Sequence, residues 1–149
     1  MMKLDDALSG VAKLGLDTPP VIYFIEAHPQ YDALVTEVFE RISNGKVEGI
    51  TSVITLTEVL IHPLRRGNLR LQKEYRDLLI HTADFQTLAI DIYIAETAAG
   101  LRYRYNLRTP DAMQIAAALS VGCEAFLTND AALQRVTELR VLVLSQLEL

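Results

Sequence analysis

The amino-acid sequence predicts an α/β domain built as a three-layer sandwich, with a small and mainly parallel β-sheet between two layers of helices. The apolar pattern alternates along the chain between strand-like and helix-like segments, and neighbouring parallel strands need such helical crossovers. The 149 residues are 50% apolar and 22% charged, with only 7 Gly and 5 Pro, which is the composition of one compact domain. We therefore expect a single domain over residues 1–149.

Apolar periodicity and turn-forming residues define the elements of the first part of the chain. The segment DTPP ends the first strand, and Asn44-Gly45 ends the helix that precedes the second strand. Residues 1–13 are expected to form an N-terminal helical extension. The predicted elements are a helix at Leu4–Val11, a strand at Lys13–Leu16, helices at Val21–Ala27 and Asp32–Ile42, a strand at Val47–Ser52, a helix from about Leu56 and a helix at Leu69–Ile80.

The second part of the chain continues the alternation of strands and helices. Short apolar runs predict the strands, and longer runs with helical spacing predict the helices. The predicted elements are a strand at Thr87–Ile90, helices at Ile92–Tyr105 and Pro110–Val121, a strand at Ala125–Leu127, a short helix at Ala131–Glu138 and a strand at Val141–Leu144.

Several classes of protein are disfavoured by what the chain lacks. Its one cysteine, Cys123, has apolar neighbours and is expected to be a buried residue rather than a reactive thiol. No basic flank precedes an apolar run near the N-terminus, and no apolar stretch approaches the roughly 20 residues of a membrane span. We therefore expect a cytoplasmic protein in a reducing compartment, with no membrane contact.

Basic residues are concentrated in two stretches of an otherwise acidic chain. The formal net charge is −5, yet Pro63–Arg76 and Leu101–Arg108 hold eight of the 14 basic residues against one acid, Glu74. Two basic helix faces that are simply solvated would explain this pattern. The alternative is local contact with the phosphates of a nucleic acid. The candidates for such contact are Arg65, Arg66, Arg70, Arg102, Arg104 and Arg108.

Four acidic residues occur at strand ends or helix starts, and each has an adequate structural explanation. Asp17 precedes a helix that Thr18 could cap, and Asp130 or its neighbour Asn129 could cap the helix that follows. Thr55 and Glu58 have the spacing of a capping box. Asp111 follows Thr109 as a predicted cap and favours the dipole of its helix.

Taken together, the same four acids predict a metal site. Ligands of parallel sheets bind beyond the carboxyl ends of the strands, where Asp17, Glu58 and Asp130 are expected to lie and where Asp111 opens a helix. Their mutual repulsion would have to be relieved by raised pKa values or a bound cation. No histidine or lysine accompanies them, and ligation by oxygen alone suits Mg²⁺ or Mn²⁺. Such a cation is the usual equipment for hydrolysing phosphate esters.

These segments resemble the PIN-domain family, and in particular its VapC-like toxin ribonucleases of type II toxin-antitoxin systems. The family has an aspartate after the first strand, a glutamate at a helix start after the second, an aspartate opening a late helix and an aspartate after a Thr-Asn pair. Here these match Asp17 in LDTPPVIYFIEAHP, Glu58 in TSVITLTEVL, Asp111 in TPDAMQIAAAL and Asp130 in FLTND. The resemblance spans Leu14 to Leu144.

The resemblance implies hydrolysis of RNA at a site with Mg²⁺ or Mn²⁺, leaving 5′-phosphate and 3′-hydroxyl ends. The four carboxylates would hold the metal, and Tyr103 and Tyr105 could stack on unpaired bases next to the arginines. The resemblance also implies a homodimer and a cognate antitoxin as protein partner, for which the apolar helix at Val21–Ala27 is a candidate surface.

One position departs from the family pattern. Members often carry a polar residue two places after the first aspartate, where this chain has Pro19. Whatever that group contributes to the pocket must come here from Thr18 or from water. Thr128 and Asn129 match the family's Thr-Asn pair and are expected to orient Asp130 or a metal-bound water.

Two other interpretations remain open from the sequence, and a third is disfavoured. A PIN-like module could bind RNA or protein without cleaving, with the acids retained for structure, and Pro19 is the best argument for it. Single-stranded DNA is an alternative substrate, because basic residues recognise the backbone and not the sugar. A phospho-receiver domain is disfavoured, since Asp5-Asp6 precede the first strand and no lysine follows Lys73.

Overall fold

The structure is a computed structural model that describes residues 1–149, and it contains seven helices and seven strands. None of the helices is long and apolar enough to cross a membrane. In chain order the elements are β1 (Met2–Lys3), α1 (Leu4–Ala7), β2 (Lys13–Leu16), α2 (Thr18–Ile25), α3 (Asp32–Ser43), β3 (Glu48–Ser52), α4 (Val53–Arg65), α5 (Leu69–His81), β4 (Phe85–Leu88), α6 (Ile92–Tyr105), α7 (Thr109–Ser120), β5 (Ala125–Thr128), a 3₁₀ turn (Ala131–Arg135), β6 (Arg140–Val143), a second 3₁₀ turn (Leu144–Gln146) and β7 (Leu147–Glu148).

Five strands form one fully parallel sheet in the order β4-β3-β2-β5-β6. From β2 the chain first adds β3 and β4 on one side and then returns to add β5 and β6 on the other. The strand order therefore reverses between β2 and β5, and the crevice beyond their carboxyl ends is where open α/β sheets bind ligands. Strands β1 and β7 pair separately, also in parallel, and join the two ends of the chain.

Helices cover both faces of the sheet, which confirms the predicted three-layer α/β architecture. Alternate residues of a strand face opposite layers. Leu127 belongs to a core of 22 buried residues with α1 to α5, whereas Phe126 belongs to a core of 15 buried residues with α6 and α7. The single free cysteine, Cys123, is buried in the second core as expected, and burial raises the pKa of its thiol to about 12.

The helix and strand bounds differ from the predictions mainly at helix starts. Helix α2 begins at Thr18 rather than Val21, because prolines fit the first turn of a helix, where their missing N–H groups are not needed. Helix α4 begins at Val53 rather than about Leu56. The N-terminal helix ends at Ala7 instead of Val11, and the segment predicted as a helix at Ala131–Glu138 is a 3₁₀ turn.

The remaining strands lie where they were predicted to within two residues. Strand β4 ends at Leu88 rather than Ile90, and β5 continues to Thr128 instead of ending at Leu127. The short pair of β1 and β7 was not predicted, since two-residue strands leave no periodic signal.

Candidate functional site

The four acids from different parts of the chain line one pocket of about 310 Å³ at the carboxyl edge of the sheet. Asp17 follows β2 and Asp130 follows β5, so they flank the point where the strand order reverses. Glu58 reaches the pocket from the second turn of α4 and Asp111 from the first turn of α7. The other lining residues are Thr18, Pro19, Ile22 and Arg108.

Asp17 is the most buried acid of the pocket, with 7% of its surface exposed. One carboxylate oxygen accepts from the backbone N–H of Thr18 at 2.9 Å, and the other accepts from the Thr128 hydroxyl at 2.8 Å. Burial, with a smaller contribution from the charges of Asp111 and Glu58, raises the pKa of Asp17 to about 6 despite the lowering effect of the two hydrogen bonds. Asp17 is therefore the N-cap of α2, where Thr18 was predicted as the cap.

Glu58 is held by the neighbouring threonine instead of by a capping box. The Thr18 hydroxyl donates to Glu58 Oε1 at 2.6 Å. The predicted capping box of Thr55 and Glu58 is wrong, because α4 begins earlier than expected. Its N-cap is Ser52, whose hydroxyl accepts from the N–H of Ile54 at 3.1 Å. Glu58 is free of a capping role, and its carboxylate lines the pocket.

Asp111 forms an ion pair with the one basic residue that lines the pocket. Arg108 Nε lies 3.2 Å from Asp111 Oδ2, and the Arg108 side chain is 79% exposed whereas that of Asp111 is 13% exposed. The N-cap of α7 is Arg108 and makes no side-chain cap, so the predicted cap at Thr109 is wrong.

Asp130 caps the 3₁₀ turn after β5, as predicted. Its Oδ1 accepts from the N–H of Ala132 at 3.0 Å, and its own N–H donates to the Thr128 hydroxyl at 3.1 Å. Thr128 therefore contacts both Asp17 and Asp130. The side chain of Asn129 makes its hydrogen bonds to other residues. Its Oδ1 accepts from Ser145 N–H at 3.1 Å, and its Nδ2 donates to the Tyr23 hydroxyl at 3.3 Å.

A buried polar network supports the pocket and was not predicted. Gln114, which is 3% exposed, donates from Nε2 to Thr55 Oγ1 at 2.6 Å and to Thr18 Oγ1 at 3.3 Å. Its Oε1 accepts from the Ser52 hydroxyl at 2.6 Å. Thr51 lies 2.8 Å from Thr55 Oγ1 and donates to the Leu16 carbonyl at 2.8 Å. No buried side-chain polar atom in the chain lacks a partner.

The network could have been suspected from its polar residues in apolar surroundings. Seven of the eight buried polar side chains in the protein belong to it or to its contacts with the pocket, and a buried polar residue is more informative than an exposed one. The sequence signals were the run of hydroxyls in TSVITLTE and the single amide in DAMQIAAAL. These seven residues are Asp17, Thr18, Thr51, Ser52, Thr55, Gln114 and Thr128.

Only one of the six candidate arginines lines the pocket. Arg102 donates to the Leu107 carbonyl at 2.7 Å and to Thr109 Oγ1 at 2.9 Å, and so bridges α6 to the start of α7. Arg104 pairs with Glu138 at 2.5 Å. The arginines around the turn between α4 and α5 are exposed. Along the axis of α4, the backbone of Arg65 lies about 10 Å from that of Glu58.

A larger cleft of about 510 Å³ lies beside the paired chain ends, but four of its five charged side chains already form ion pairs. Arg41 hydrogen-bonds to Asp5 and to Glu37, and Lys3 pairs with Glu148. The acidic pocket differs because its four carboxylates face one arginine. It is therefore the stronger candidate for a cation site.

The pocket's donor set fits a hard divalent cation. Nowhere in the chain do three Asp, Glu, His or Cys side chains come together as a complete ligand group for one ion. A cation here would be held by one or two carboxylates and complete its shell with water, which is how Mg²⁺ usually binds. The pKa of Asp17 is raised mainly by burial and in smaller part by the charges of Asp111 and Glu58, and a bound cation would offset both effects.

The fold and pocket define a class: a small three-layer α/β protein with clustered carboxylates at the switch point of a parallel sheet. Within this class, the family model described as "PIN domain" matches residues 15–139. The chain belongs to the PIN domain family, which confirms the resemblance seen in the sequence. Comparison with curated proteins finds no match.

Several solved structures share this fold. The matched chain of VapBC2 from Rickettsia felis, bound to a promoter DNA fragment, is 15% identical with a TM-score of 0.69, covering 88% of this chain and 98% of its own. A toxin–antitoxin complex from Klebsiella pneumoniae gives 22% identity and a TM-score of 0.68, covering 89% and 97%. DNA-bound VapBC from Salmonella typhimurium is 18% identical with a TM-score of 0.62, and the match covers 97% of this chain and 99% of the Salmonella chain.

Proposed function

We propose that this PIN-domain protein is a metal-dependent endoribonuclease that acts as the toxin of a toxin–antitoxin pair. The observation that carries the proposal is the convergence of Asp17, Glu58, Asp111 and Asp130 on one pocket at the switch point of the sheet. Glu58 and Asp111 are not the N-caps of their helices, so capping alone does not explain why all four acids line this pocket. Membership of the PIN family and the likeness of the fold to VapBC complexes support the same function.

The four carboxylates would hold Mg²⁺ or Mn²⁺, directly or through water. A divalent cation supplies an activated water at neutral pH and neutralises charge on the phosphate in the transition state. Thr18 holds Glu58 by its hydroxyl and Thr128 holds Asp17 by its hydroxyl, so that both acids are oriented before a ligand arrives. Pro19 stands where family members often carry a polar residue, and the Thr18 hydroxyl supplies a polar contact in the pocket beside it.

The basic residues would bind the RNA backbone around the pocket. Arg108 lines the pocket itself, and Arg65, Arg66 and Arg70 lie at the turn between α4 and α5. Tyr103 is 91% exposed and is available to stack on an unpaired base. Arg70, Arg102 and Arg104 have protein partners, so we assign them a smaller share of the binding.

The proposed partners are a second copy of the chain and an antitoxin. The matched structure from Klebsiella pneumoniae is described as a toxin–antitoxin complex, and the partly buried residues Tyr23 and Phe24 of α2 lie beside the pocket residue Ile22. We propose a cytoplasmic homodimer, in keeping with the free thiol of Cys123. Size-exclusion chromatography with light scattering should give twice the chain mass of 16.6 kDa, and a monomer at every concentration would rule out the dimer.

Cleavage of RNA by the pure protein tests the proposed activity. A mixed pool of cellular RNA is incubated with the protein in Mn²⁺ or Mg²⁺, beside an EDTA control and the Asp17→Asn variant. We expect discrete fragments with 5′-phosphate ends, absent in EDTA and at least about 100-fold slower in the variant. Cleavage that persists in EDTA would contradict the proposal.

The same assay decides between this activity and the alternatives. Intact RNA together with retained RNA binding would favour the non-catalytic PIN-like module. Cleavage of single-stranded DNA at a rate equal to that of RNA would show that the pocket does not select the sugar. In both cases the acids of the pocket would need another explanation or another substrate.

A further inference from the structure

Arg108 lines the acidic pocket and is also largely exposed to solvent. Its guanidinium is the only positive charge lining the pocket, and it pairs with Asp111 at 3.2 Å through Nε alone. The side chain is 79% exposed, so most of its surface makes no protein contact. Glu58 and Asp130 also act on it electrostatically, together with Asp111. Arg108 is thus the built-in counter-ion of the acidic pocket.

This pairing conflicts with the binding of a divalent cation. Asp111 Oδ2 accepts from Arg108, and a cation on the same carboxylate would place two positive groups on one acid. An exposed ion pair contributes little free energy, so it is easily exchanged. A divalent cation, with twice the charge and a preference for carboxylate oxygen, would win this exchange.

The two arginines at the end of α6 are less free than Arg108 to exchange their partners. Arg102 is held by the Leu107 carbonyl and Thr109, and Arg104 is held by Glu138. Arg108 directly precedes α7 in extended backbone, and no contact other than the Asp111 pair fixes its guanidinium. A guanidinium released at the rim of a cation site is well suited to a phosphate, because its fork of N–H donors matches phosphate oxygens.

We infer that Arg108 is the counter-ion of the metal-free pocket and becomes a ligand of an RNA phosphate when a divalent cation replaces it on Asp111. The inference rests on the proposed function. It assigns one side chain to two successive partners, a carboxylate and then a phosphodiester. It also means that Arg108 opposes metal binding while it favours substrate binding, and these opposite effects separate it from a merely structural residue.

The first test measures metal affinity without any reaction. Mn²⁺ is titrated by calorimetry into EDTA-treated protein at constant ionic strength, with Arg108→Gln, Arg108→Lys and Arg76→Gln compared with the unchanged chain. Arg76 is exposed and has no ion pair, so it controls for the loss of one positive charge. We expect Arg108→Gln to bind Mn²⁺ about threefold or more tightly, and Arg76→Gln to stay within about twofold.

The second test measures RNA binding by fluorescence anisotropy of a labelled single-stranded oligonucleotide. Asp130→Asn is present in every protein compared, so that the RNA stays intact, and Mn²⁺ is added at a concentration that calorimetry shows to saturate the weakened site of this variant. With Mn²⁺ we expect Arg108→Gln to weaken RNA binding about fivefold or more. In EDTA, where Asp111 holds the guanidinium, we expect a change of less than about twofold.

The outcomes separate this inference from the proposed function. If the unchanged protein binds Mn²⁺ and cuts RNA but Arg108→Gln leaves the Mn²⁺ affinity unchanged or weaker, the counter-ion role is wrong. An equal loss of RNA affinity with and without Mn²⁺ would show that Arg108 contacts RNA independently of the metal, which also overturns the exchange. A protein that neither binds Mn²⁺ nor cuts RNA would remove the proposed function, and this inference with it.

Discussion

Single residues of the pocket combine a structural and a chemical role, and Asp17 illustrates how. It caps α2 through one oxygen and accepts from Thr128 through the other, yet burial and the neighbouring acids raise its pKa to about 6. An ordinary cap on the protein surface would keep its charge without cost. At this position the charge is stabilised only in part, and the deficit is what a cation would supply.

The raised pKa of Asp17 predicts how the stability of the metal-free protein depends on pH. The unfolded chain loses this proton near pH 3.8, whereas the folded protein keeps it up to about pH 6. Between these values the folded state binds more protons, so the contribution of Asp17 makes stability fall as the pH rises, by on the order of 3 kcal/mol in total. The contribution is absent below pH 3.8 and complete above pH 6.

Asp17→Asn, which cannot ionise, isolates this effect. In EDTA at pH 7.5 we expect the variant to be more stable than the unchanged protein, and near pH 4 we expect the two to be nearly equal. Urea unfolding at both pH values measures the difference. A variant less stable at pH 7.5 than the unchanged protein would mean that the charged carboxylate is well stabilised without metal.

Thr18 is expected to act through Glu58. Thr18→Val removes the hydroxyl that donates to Glu58 Oε1 and leaves Gln114 without one of its partners, whereas Thr18→Ser keeps both contacts. We expect Thr18→Val to reduce kcat about tenfold or more, with recovery in Thr18→Ser. Steady-state cleavage of a defined RNA measures this, and a loss in Thr18→Ser equal to or larger than that in Thr18→Val would show that the hydroxyl is not the group that matters.

Much of the site was predictable from single residues, but not how its residues are held. The four acids were found because strand ends of a parallel sheet share one edge, which depends only on element order. The capping roles of Thr55 and Thr109 were wrong because a local spacing fits more than one helix start. Gln114 was missed, since its partners at Ser52 and Thr55 are about 60 residues away in the sequence.

At the scale of elements, close contact between β2 and α7 fixes the pocket. A side chain at Gly15 would meet Ala118 Cβ and Phe126 Cδ1, each at 2.8 Å, so only glycine allows this approach. Gly15 lies two residues before Asp17, and α7 carries both Asp111 and Gln114. The distance between the sheet and α7 therefore decides whether the acids from the two elements meet.

Gly15→Ala tests this contact. We expect it to destabilise the protein by about 1–3 kcal/mol through overpacking, and to lower activity by shifting α7. Gly100→Ala is the matched control, because its added Cβ would meet only the flexible end of Arg104 at 3.4 Å. Since Gly100 lies inside α6, we expect the control to gain about 0.5–1 kcal/mol. Urea unfolding measures both, and a neutral Gly15→Ala would contradict the tight packing.

At the scale of the whole molecule, the charge distribution separates one basic surface from the acidic rest. The net charge is −5, yet the turn between α4 and α5 is basic and exposed. A polyanion would be repelled by most of the surface and attracted by this region. RNA binding should therefore depend on a few phosphate contacts and on salt.

Removing two of these arginines should change the salt dependence. We expect the double variant Arg65→Gln, Arg66→Gln to bind single-stranded RNA more weakly and to reduce the slope of log affinity against log salt by about one unit or more. Anisotropy at several KCl concentrations measures the slope. An unchanged slope would show that RNA approaches from another side.

The three-layer fold was predictable as a whole because strands that alternate with helices favour a parallel sheet covered by helices on both faces. Parallel strands need crossovers, and these cover both faces. The strand order β4-β3-β2-β5-β6 was not predicted, since periodicity identifies strands but not their neighbours. That order is what brings Asp17 and Asp130 to the same crevice.

The most direct test of the central claim is Mn²⁺ binding by calorimetry to the unchanged protein and to Asp17→Asn, Glu58→Gln, Asp111→Asn and Asp130→Asn. Asp91→Asn serves as the control, because Asp91 caps α6 and does not line the pocket. If the four acids form one metal site, the unchanged protein and the control bind Mn²⁺, and each pocket variant binds about tenfold more weakly or worse. Binding that survives all four substitutions, or no binding by the unchanged protein, would contradict the claim that these carboxylates are a metal centre.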